Sequence, residues 1–392
     1  MFIEILLFLF FGMLLGIITG LAPGIHPNLI VLAIPSLFVF IPEPILFLVF
    51  VVSMAVTNSI VDFIPSILLG APDADTALSA LPGHRLLLQG QGYHAIRLTT
   101  FGCLASVAFV IILSPLLVLF IPIIYATIKP VMAYALISML AFLVYKERNR
   151  LDALMFILIA GLLGLMSMQI PLSSDLILFP LLTGLFGFSL LLEQLSQKSS
   201  MPAQDFSEKI IPLKIKLSSI KGTLAGLVSG LLPGVGPSQA VMFTGETDGE
   251  SFLVRLGAIS TANILLSFLA LWLISQPRSG VAVAVGQLMN INTNEFILIL
   301  VLALVSSSLA AIFCLKSAKA FMKGMQKINY SKLSALILLF LNIIVLLITG
   351  IYGLMLAWTA AMLGLACHHH GLRRSLLMAS LILPTILFYF GF

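Results

Sequence analysis

The chain has very little charge. Charged residues make up 9% of its 392 residues, whereas a soluble globular domain carries about 25%. Hydrophobic residues make up 60%, and runs such as LILLFLNIIVLLITGIYGLML (336–356) are long enough to cross a bilayer as helices. These runs do not alternate, which argues against a membrane β-barrel. The composition predicts an all-α polytopic membrane protein with about 12 to 14 transmembrane or re-entrant helices.

Cysteines and catalytic motifs are also scarce. Cys103, Cys314 and Cys367 lie far apart in apolar runs, which predicts small core residues and no metal site. The chain contains no Gly-x-x-x-x-Gly-Lys, His-Glu-x-x-His or Gly-x-Ser-x-Gly element, so an ATP-driven pump or a protease is not predicted. The N-terminus lacks a basic region and a small-residue cleavage site, so we expect the first apolar run to stay as a helix.

The few positive charges cluster in loops. The net charge of +5 therefore indicates topology and not nucleic-acid binding, because basic loops of membrane proteins face the cytoplasm. The acidic segment TGETDGE (244–250) contains no positive charge, so we expect it to face outward. The basic loops lie at 85–97, 146–150, 198–221, 316–332 and 368–374.

Two segments rich in proline and glycine share one skeleton. GIITGLAPGIHPN (16–28) and GLVSGLLPGVGPS (226–238) match at each Gly and at both Pro positions of the shared pattern. Proline removes a backbone donor and glycine permits positive φ, so each segment would break a membrane helix. Such a break is tolerated only inside protein or beside a wet cavity, although the Gly-x-x-x-Gly part alone also marks close helix packing. The residues predicted to bind substrate at these breaks are Pro23, Gly24, His26, Pro27, Asn28, Pro233, Gly234, Gly236, Pro237 and Ser238.

The matched segments predict two structural pseudo-repeats. We divide the chain into a first membrane repeat (1–200) with an insertion at 58–97, a cytoplasmic linker (201–221) and a second membrane repeat (222–392). GYHAIRL (92–98) resembles GESFLVRL (249–256), which aligns Arg97 with Arg255. The loop charges favour one orientation for both repeats, but re-entrant segments would reverse that count, so parallel and inverted repeats stay open.

Several stretches resemble a known family. GLAPGIHPN, GLLPGVGPS and the run from Ile64 to Gly102 (IPSILLGAPDADTALSALPGHRLLLQGQGYHAIRLTTFG) are similar to the TctA-like permeases, the large membrane subunits of tripartite tricarboxylate transporters. FPLLTGLFGFSLLLEQL (179–195) resembles a helix of that family, with Glu193 in its acidic place. The resemblance implies cation-coupled uptake of citrate-like carboxylates, with a small membrane subunit and an extracytoplasmic binding protein as partners. The chain is shorter than typical permeases of the family.

Polar residues near the first repeat are candidates for ion coupling. A carboxylate at membrane depth is expensive and usually functional, and Na⁺ prefers carboxylate, carbonyl and hydroxyl oxygens. The candidates are Asn58, Ser59, Asp62, Asp73, Asp75 and Thr76. The alternative for Asp73 and Asp75 is a wet loop in which they cap the helix that starts at Thr76.

Basic side chains offer a second set of contacts. Arg97 and Arg255 could bind a substrate carboxylate, although such residues more often place the charge at the interface. His26 could gate protons or cap the break. Adjacent histidines on a helix point in different directions, so HHH (368–370) predicts an interfacial turn and not a metal site.

Together these features predict a secondary active transporter and not an enzyme. We expect it to move a small organic anion across the cell membrane, driven by a Na⁺ or H⁺ gradient, with no other cofactor. Membrane lipids surround such a protein, and a homo-oligomer is consistent with its class. The alternatives are a flippase for a lipid-linked or polyprenyl-phosphate anion, which also needs helix dipoles aimed at an anion, and an intramembrane enzyme.

Overall fold

The structure is a computed structural model, and 87% of the residues that it describes are helical. It describes residues 2–22, 27, 43–69, 80–172, 174–196, 202–231, 236–245, 249–277, 279–325 and 330–391. Within these ranges there is no strand, and eight helices are long and apolar enough to cross a membrane. This confirms the predicted all-α polytopic membrane class.

The helices are numbered here in chain order. The π-helical stretch Thr183–Phe188 joins α8 to α9, and 3₁₀ turns occupy Lys129–Val131, Val241–Thr244 and Arg374–Met378. The helices are α1 (Phe2–Leu21), α2 (Pro44–Val61), α3 (Phe63–Leu68), α4 (Ala80–Leu88), α5 (Gly92–Ile128), α6 (Met132–Lys146), α7 (Arg150–Ser167), α8 (Ser174–Leu182), α9 (Ser189–Ser196), α10 (Leu213–Leu231), α11 (Pro237–Ala240), α12 (Glu250–Ile274), α13 (Gly280–Leu288), α14 (Thr293–Met325), α15 (Tyr330–His369) and α16 (Ala379–Phe390).

The long helix α15 is a hairpin of two arms. Gly350 has φ 67° and ψ −165°, a backbone conformation that glycine adopts easily. Trp358 Nε1 donates to Asn342 Oδ1 at 2.9 Å, whereas 16 residues of straight helix would separate these residues by about 24 Å. The two arms therefore fold back on each other.

Three glycines form the face of α1 that packs on α2. Gly12, Gly16 and Gly20 follow one another at four-residue intervals, which places them on one face of the helix. The absent side chains let the two helices approach closely, as small residues do in membrane helix pairs. The facing residues are Phe50 and Ser53 at the first glycine, Met54 and Thr57 at the second, and Val61 and Asp62 at the third.

Helix α10 packs on α12 by the same pattern. Gly222, Gly226 and Gly230 have the spacing of the glycines on α1, shifted by 210 residues. The facing residues are Arg255 and Ala258 at the first glycine, Ile259 and Ala262 at the second, and Asn263 and Leu266 at the third. An offset of 205 in residue number relates Phe50 to Arg255, Met54 to Ile259 and Val61 to Leu266. The α1–α2 pair and the α10–α12 pair therefore make equivalent contacts.

This equivalence differs from the alignment made on the sequence. Arg97 lies on α5, which packs directly against α12, where Arg255 lies: Gly102 faces Val254, and Cys103 Sγ lies 3.2 Å from the Gly257 carbonyl oxygen. By its contacts, α12 corresponds to α2 and not to α5. The α1–α2 pair therefore has a counterpart in the second half, which the sequence alignment did not reveal.

Helices α5, α10 and α12 begin at one end of the molecule, here called the basic end. His94 Nε2 lies 3.2 Å from Glu250 Oε1 near the starts of α5 and α12. Helix α14 runs the other way and ends there, since Lys319 lies over the Tyr93 ring at 4.6 Å. Lys146 donates to the Gly245 carbonyl oxygen at 2.8 Å, which places the 146–150 loop at the same end.

The two equivalent pairs run in opposite directions. The glycine contacts advance in parallel on α1 and α2, so these two helices share a direction, as do α10 and α12. Ser59 of α2 lies beside Cys103 of α5, well after the start of that helix. Further along the chain, the Ile67 carbonyl oxygen of α3 accepts a hydrogen bond from His84 Nδ1 at 3.3 Å, close to the start of α5. The α1–α2 pair therefore runs towards the basic end, while the α10–α12 pair runs away from it.

One expectation about loop sidedness is wrong. The acidic segment 244–250 was expected on the face opposite the basic loops, but Gly245 contacts Lys146 and Glu250 contacts His94 at the basic end. The reason is that α10 and α12 both begin at the basic end, so residues 236–245 lead the chain back to that end. Charge counting assumes that each apolar helix is followed by a change of side, and that assumption fails here.

The predicted linker is partly helical and is anchored at the basic end. Residues 202–212 form no regular element, but α10 already begins at Leu213, within the predicted linker 201–221. Gln204 Oε1 accepts the Gly92 amide at 3.0 Å, and its Nε2 donates to the Leu87 carbonyl oxygen at 2.8 Å. The linker therefore stabilises the turn between α4 and α5.

Candidate functional site at the crossing of α2 and α12

Helices α1 and α10 both end inside the protein. The last glycine of α1, Gly20, faces Val61, and the α2–α3 chain continues to Leu68. The last glycine of α10, Gly230, faces Leu266, and α12 continues to Ile274. Each neighbour extends about seven or eight residues further, or roughly 10 to 12 Å at the helical rise. Helices α1 and α10 therefore stop short of the ends of the helices beside them.

Helices α2 and α12 cross at a pair of hydroxyl groups. Ser59 Oγ and Thr261 Oγ1 lie 3.5 Å apart. One residue away, Asn58 Nδ2 donates to Thr19 Oγ1 on α1 at 3.1 Å, and Thr19 in turn donates to the Gly16 carbonyl oxygen at 3.2 Å. The hydroxyls and amides of three helices thus meet at one place, between the two helix pairs.

The polar side chains at this crossing are buried, as are almost all of their neighbours on the two helices. Among residues 56–63 of the α2–α3 chain, only Asn58, Ser59 and Asp62 keep an exposed fraction, of 4%, 6% and 4%. On α12 every residue from Phe252 to Ala270 is buried except Asn263, which is half-buried. A buried polar group at membrane depth is costly and usually functional, and transporters place their ligand sites near the bilayer midplane. We define the crossing cluster as Thr19, Asn58, Ser59, Asp62 and Thr261.

The carboxylate of Asp62 lies where α1 ends. Its backbone amide donates to the Asn58 carbonyl oxygen at 2.9 Å and lies next to Gly20. The side chain is buried, and it interacts with other groups of the protein. Asp62 is the only ionisable member of the crossing cluster.

The predicted substrate residues are only partly described. Pro27 is buried, Gly236 is half-buried, and Pro237 and Ser238 are buried at the start of α11, where proline suits the first helical position. Ser238 has an interaction partner. The predicted residues Pro23, Gly24, His26, Asn28, Pro233, Gly234, Asp73, Asp75 and Thr76 lie outside the described residues.

The two candidate arginines bind backbone oxygens in the structure. Arg97 Nη1 donates to the Lys209 carbonyl oxygen at 2.9 Å, in the linker. Arg255 Nη1 donates to the Thr244 carbonyl oxygen at 3.1 Å. Both residues lie near the basic end and not at the crossing cluster.

The histidines at the end of α15 contact separate carboxylates. His368 Nε2 lies 2.9 Å from Glu193 Oε1, and His370 Nδ1 lies 3.3 Å from Asp152 Oδ2. Arg374 Nη2 also binds Glu193, at 2.6 Å. In the described part of the chain no three His, Cys, Asp or Glu side chains form a metal cluster. The three cysteines are buried and free, as predicted.

Sequence reasoning missed Thr19 and Thr261. A signal for α12 is present: AVTNSIVDF (55–63) and STANILLSF (260–268) share Asn and Phe at the same spacing. The match is hidden because the flanking residues are ordinary apolar or hydroxyl types. It becomes visible only once the glycine contacts show that α2 and α12 are equivalent.

Comparison with known proteins agrees with the family resemblance seen in the sequence. The model of the family described as "Tripartite tricarboxylate transporter TctA family" matches residues 6–379. The chain is 34% identical over 402 aligned positions to "Uncharacterized protein MJ1079" of Methanocaldococcus jannaschii, and the alignment covers 98% of each chain. No solved structure matches the chain.

Proposed function

Because the chain belongs to the tripartite tricarboxylate transporter TctA family, we propose that it carries a small organic anion of the di- or tricarboxylate class across the cell membrane. The family is one of transporters and not of enzymes, and it implies a carboxylate substrate with partner subunits that include a binding protein. The chain is a multi-pass membrane protein. The proposed driving force is a Na⁺ or H⁺ gradient.

The crossing cluster is the observation that supports this proposal. It places one carboxylate and several neutral oxygens at the buried contact between two oppositely directed helix pairs. Transporters built from inverted repeats bind substrate and coupling ion at such an interface, and the repeats rock against each other around it. We propose that the α1–α2 and α10–α12 pairs are copies from an internal duplication, and that this rocking alternates access to the cluster.

The proposed partners follow from the family. They are a small membrane subunit and an extracytoplasmic binding protein that delivers the anion. A transport test on the chain alone, and on the chain with the products of neighbouring genes, separates a stand-alone carrier from a subunit. Faster uptake with those products would support the tripartite arrangement.

The test of the transport function is uptake into proteoliposomes. Labelled di- and tricarboxylates are supplied outside, with an inward Na⁺ gradient, an inward proton gradient or no gradient. We expect gradient-dependent uptake that is lost in Asp62→Asn and in Pro233→Ala. The matched controls Asp205→Asn and Pro212→Ala change the same residue types in the linker, where both side chains are exposed, and should transport normally. Uptake at the wild-type rate in Asp62→Asn would contradict a coupling role for that residue.

A further inference from the structure

The start of α10 carries lysines that helix stability does not explain. Lys214, Lys216 and Lys221 lie close to its beginning at the basic end, and all three side chains are exposed. Positive charges near the start of a helix oppose its dipole. Among the residues that the structure describes, no ion pair involves any of these lysines. Their charges are therefore open to a negatively charged partner.

The equivalent helix shows that packing does not require these lysines either. The glycines of α1 and α10 are related by an offset of 210 in residue number. At that offset the counterparts of the three lysines are Glu4, Leu6 and Phe11, which are also exposed. Helix α1 packs on α2 through its glycines without a basic residue. The three positions face outward in both helices, and of the two only α10 has positive charges there.

Exposed apolar side chains lie between the lysines. Leu213, Leu217 and Leu224 have exposed fractions of 70%, 53% and 51%, and at about 3.6 residues per turn they share one face of α10. Lys216 flanks this face on one side and the other two lysines flank it on the other. Ile210, just before the helix, is 89% exposed. Such a surface is typical of a helix that meets a membrane surface, because acyl chains cover the apolar side chains while lysine stems carry their charges to the headgroups.

An arginine of α5 extends this surface. Lys216 Nζ lies 6.0 Å from the centre of the Phe101 ring on α5. Arg97 is four residues before Phe101 and therefore lies on the same side of that helix. Its Nη1 donates to the Lys209 carbonyl oxygen, just before α10. We define the basic face as Arg97, Lys214, Lys216 and Lys221.

We propose that the basic face binds the headgroups of anionic phospholipids in the leaflet at the basic end. The lipid phosphate lies against the four positive charges, and the acyl chains cover the exposed leucines of α10. The nearby acids do not cancel these charges, because Asp205 Oδ2 lies 3.2 Å from Lys209 Nζ and Glu208 Oε1 lies 3.9 Å from Lys319 Nζ. Clusters of lysine and arginine beside a membrane helix are typical of binding to anionic lipids.

Bound lipid would act on one helix pair and not on the other. It fixes the start of α10 at the membrane surface, and α12 with it, because the two helices pack through Gly222, Gly226 and Gly230. Helix α1 contains no lysine or arginine and lacks this attachment. The inference goes beyond the proposed transport function, since it requires neither a substrate nor a gradient.

The test is the binding of defined lipids to the purified full chain in an uncharged detergent. Phosphatidylglycerol and phosphatidylcholine with identical acyl chains are titrated at constant ionic strength, and Tm is measured. We expect phosphatidylglycerol to raise Tm and phosphatidylcholine to leave it unchanged. Each basic residue at an anionic surface contributes about fivefold in affinity. The double variant Lys214→Gln, Lys221→Gln should therefore move the midpoint to a lipid concentration roughly 25-fold higher.

A matched control removes the same charge elsewhere at the basic end. Lys316→Gln with Lys323→Gln changes two exposed lysines near the end of α14 and should keep the wild-type midpoint. Each variant must elute as a single species and keep its Tm without lipid; if the α10 variant does not, Lys214→Gln alone is used, with a shift of about fivefold expected. An unchanged midpoint in the α10 variant would overturn the proposal. Equal shifts in the two double variants would show a diffuse attraction to positive charge and would also contradict it.

Inorganic phosphate separates a lipid from a free anion. We expect it to leave Tm unchanged at the concentrations at which phosphatidylglycerol acts, because only the lipid also covers the exposed leucines. An equal rise with phosphate would assign the face to a soluble anion and reject the lipid. The same rise with phosphatidylcholine and phosphatidylglycerol would show that the headgroup charge is not recognised, and the lysines would then serve topology alone.

Discussion

The α1–α2 pair and the α10–α12 pair have the same contacts but different chemistry. Ser53 and Thr57 face the glycines of α1, whereas Ala258 and Ala262 face the glycines of α10. Asp62 in the first pair corresponds to Ser267 in the second. The packing of the two pairs is thus shared, whereas the buried carboxylate and the hydroxyls that face the glycines occur in the first pair. The helix packing is therefore symmetric between the two pairs, whereas the polar side chains are not.

The largest expected effect concerns the charge difference. Asp62→Asn should lower gradient-driven uptake roughly 100-fold, because a charged ligand contributes about 1.5 to 3 kcal/mol and each 1.4 kcal/mol is about tenfold. Ser267→Ala, at the matching position, should change uptake by less than about threefold. Initial rates in proteoliposomes measure both. Equal losses in the two variants would show that the halves share the coupling work.

The second prediction concerns the shared packing. A Cβ at Gly16 would lie 2.5 Å from the Met54 carbonyl oxygen, and one at Gly226 would lie 2.5 Å from the Ala262 Cβ. Gly16→Ala and Gly226→Ala should each destabilise the protein by about 1 to 3 kcal/mol through overpacking. Gly324→Ala is the control, since no atom lies within 4 Å of its added Cβ. Tm in detergent is the measurement, and an unchanged Tm in either packing variant would contradict that contact.

The third prediction is that acid destabilises the first half of the molecule and not the second. Burial lowers the pKa of His84 from 6.5 to about 4. Between these values the unfolded chain binds a proton that the folded chain does not, so stability is full above about pH 6.5 and falls as the pH is lowered towards 4. The loss by pH 5 should be about 2 kcal/mol.

The measurement is hydrogen exchange at pH 5 and pH 7.5, corrected for intrinsic rates. Helices α3 and α4 should become less protected in acid, because His84 contacts the Ile67 carbonyl oxygen, while α10 should not. His84→Gln should remove the difference. Equal acid-induced loosening of both halves, or an unchanged response in the variant, would go against the assignment to His84.

The smallest expected effect concerns the extra hydroxyls. Ser53 Oγ is buried without a hydrogen-bond partner, and such a group costs about 1 to 3 kcal/mol in mutational data. Ser53→Ala should therefore raise stability by about 1 kcal/mol, and Ala258→Ser at the matching position should lower it by a similar amount. Changes in Tm of opposite sign would support the comparison. A decrease in Tm for Ser53→Ala would mean that its hydroxyl is used.

Much of the class and part of the site could be predicted from the sequence. Low charge and long apolar runs are sufficient for the membrane class. Asn58, Ser59 and Asp62 stand out because polar groups within an apolar helix are costly. Thr19 and Thr261 do not stand out, because their importance depends on which helix faces them. The resemblance added the transporter family, which neither composition nor spacing alone specifies.

The directions of the two helix pairs could not be predicted from the charges of the loops. Counting loops places the acidic segment outside, but its flanking residues Gly245 and Glu250 lie at the basic end. The sequence does predict a break between α10 and α12, at Pro233 and Pro237. Proline and glycine indicate that a helix stops, but they do not indicate on which side of the membrane the next one begins.

The most direct test of the account is a reversible cross-link at the crossing of α2 and α12. Ser59→Cys and Thr261→Cys would be combined in a chain whose three native cysteines are replaced by alanine, since Cys103 lies next to this site. Asn342→Cys with Trp358→Cys, across the arms of α15, is the control pair for the oxidation. The account predicts that oxidation joins residues 59 and 261 and stops anion uptake, and that reduction restores it. No cross-link where the control pair forms one, or full uptake by the cross-linked protein, would contradict a moving contact between the two helix pairs.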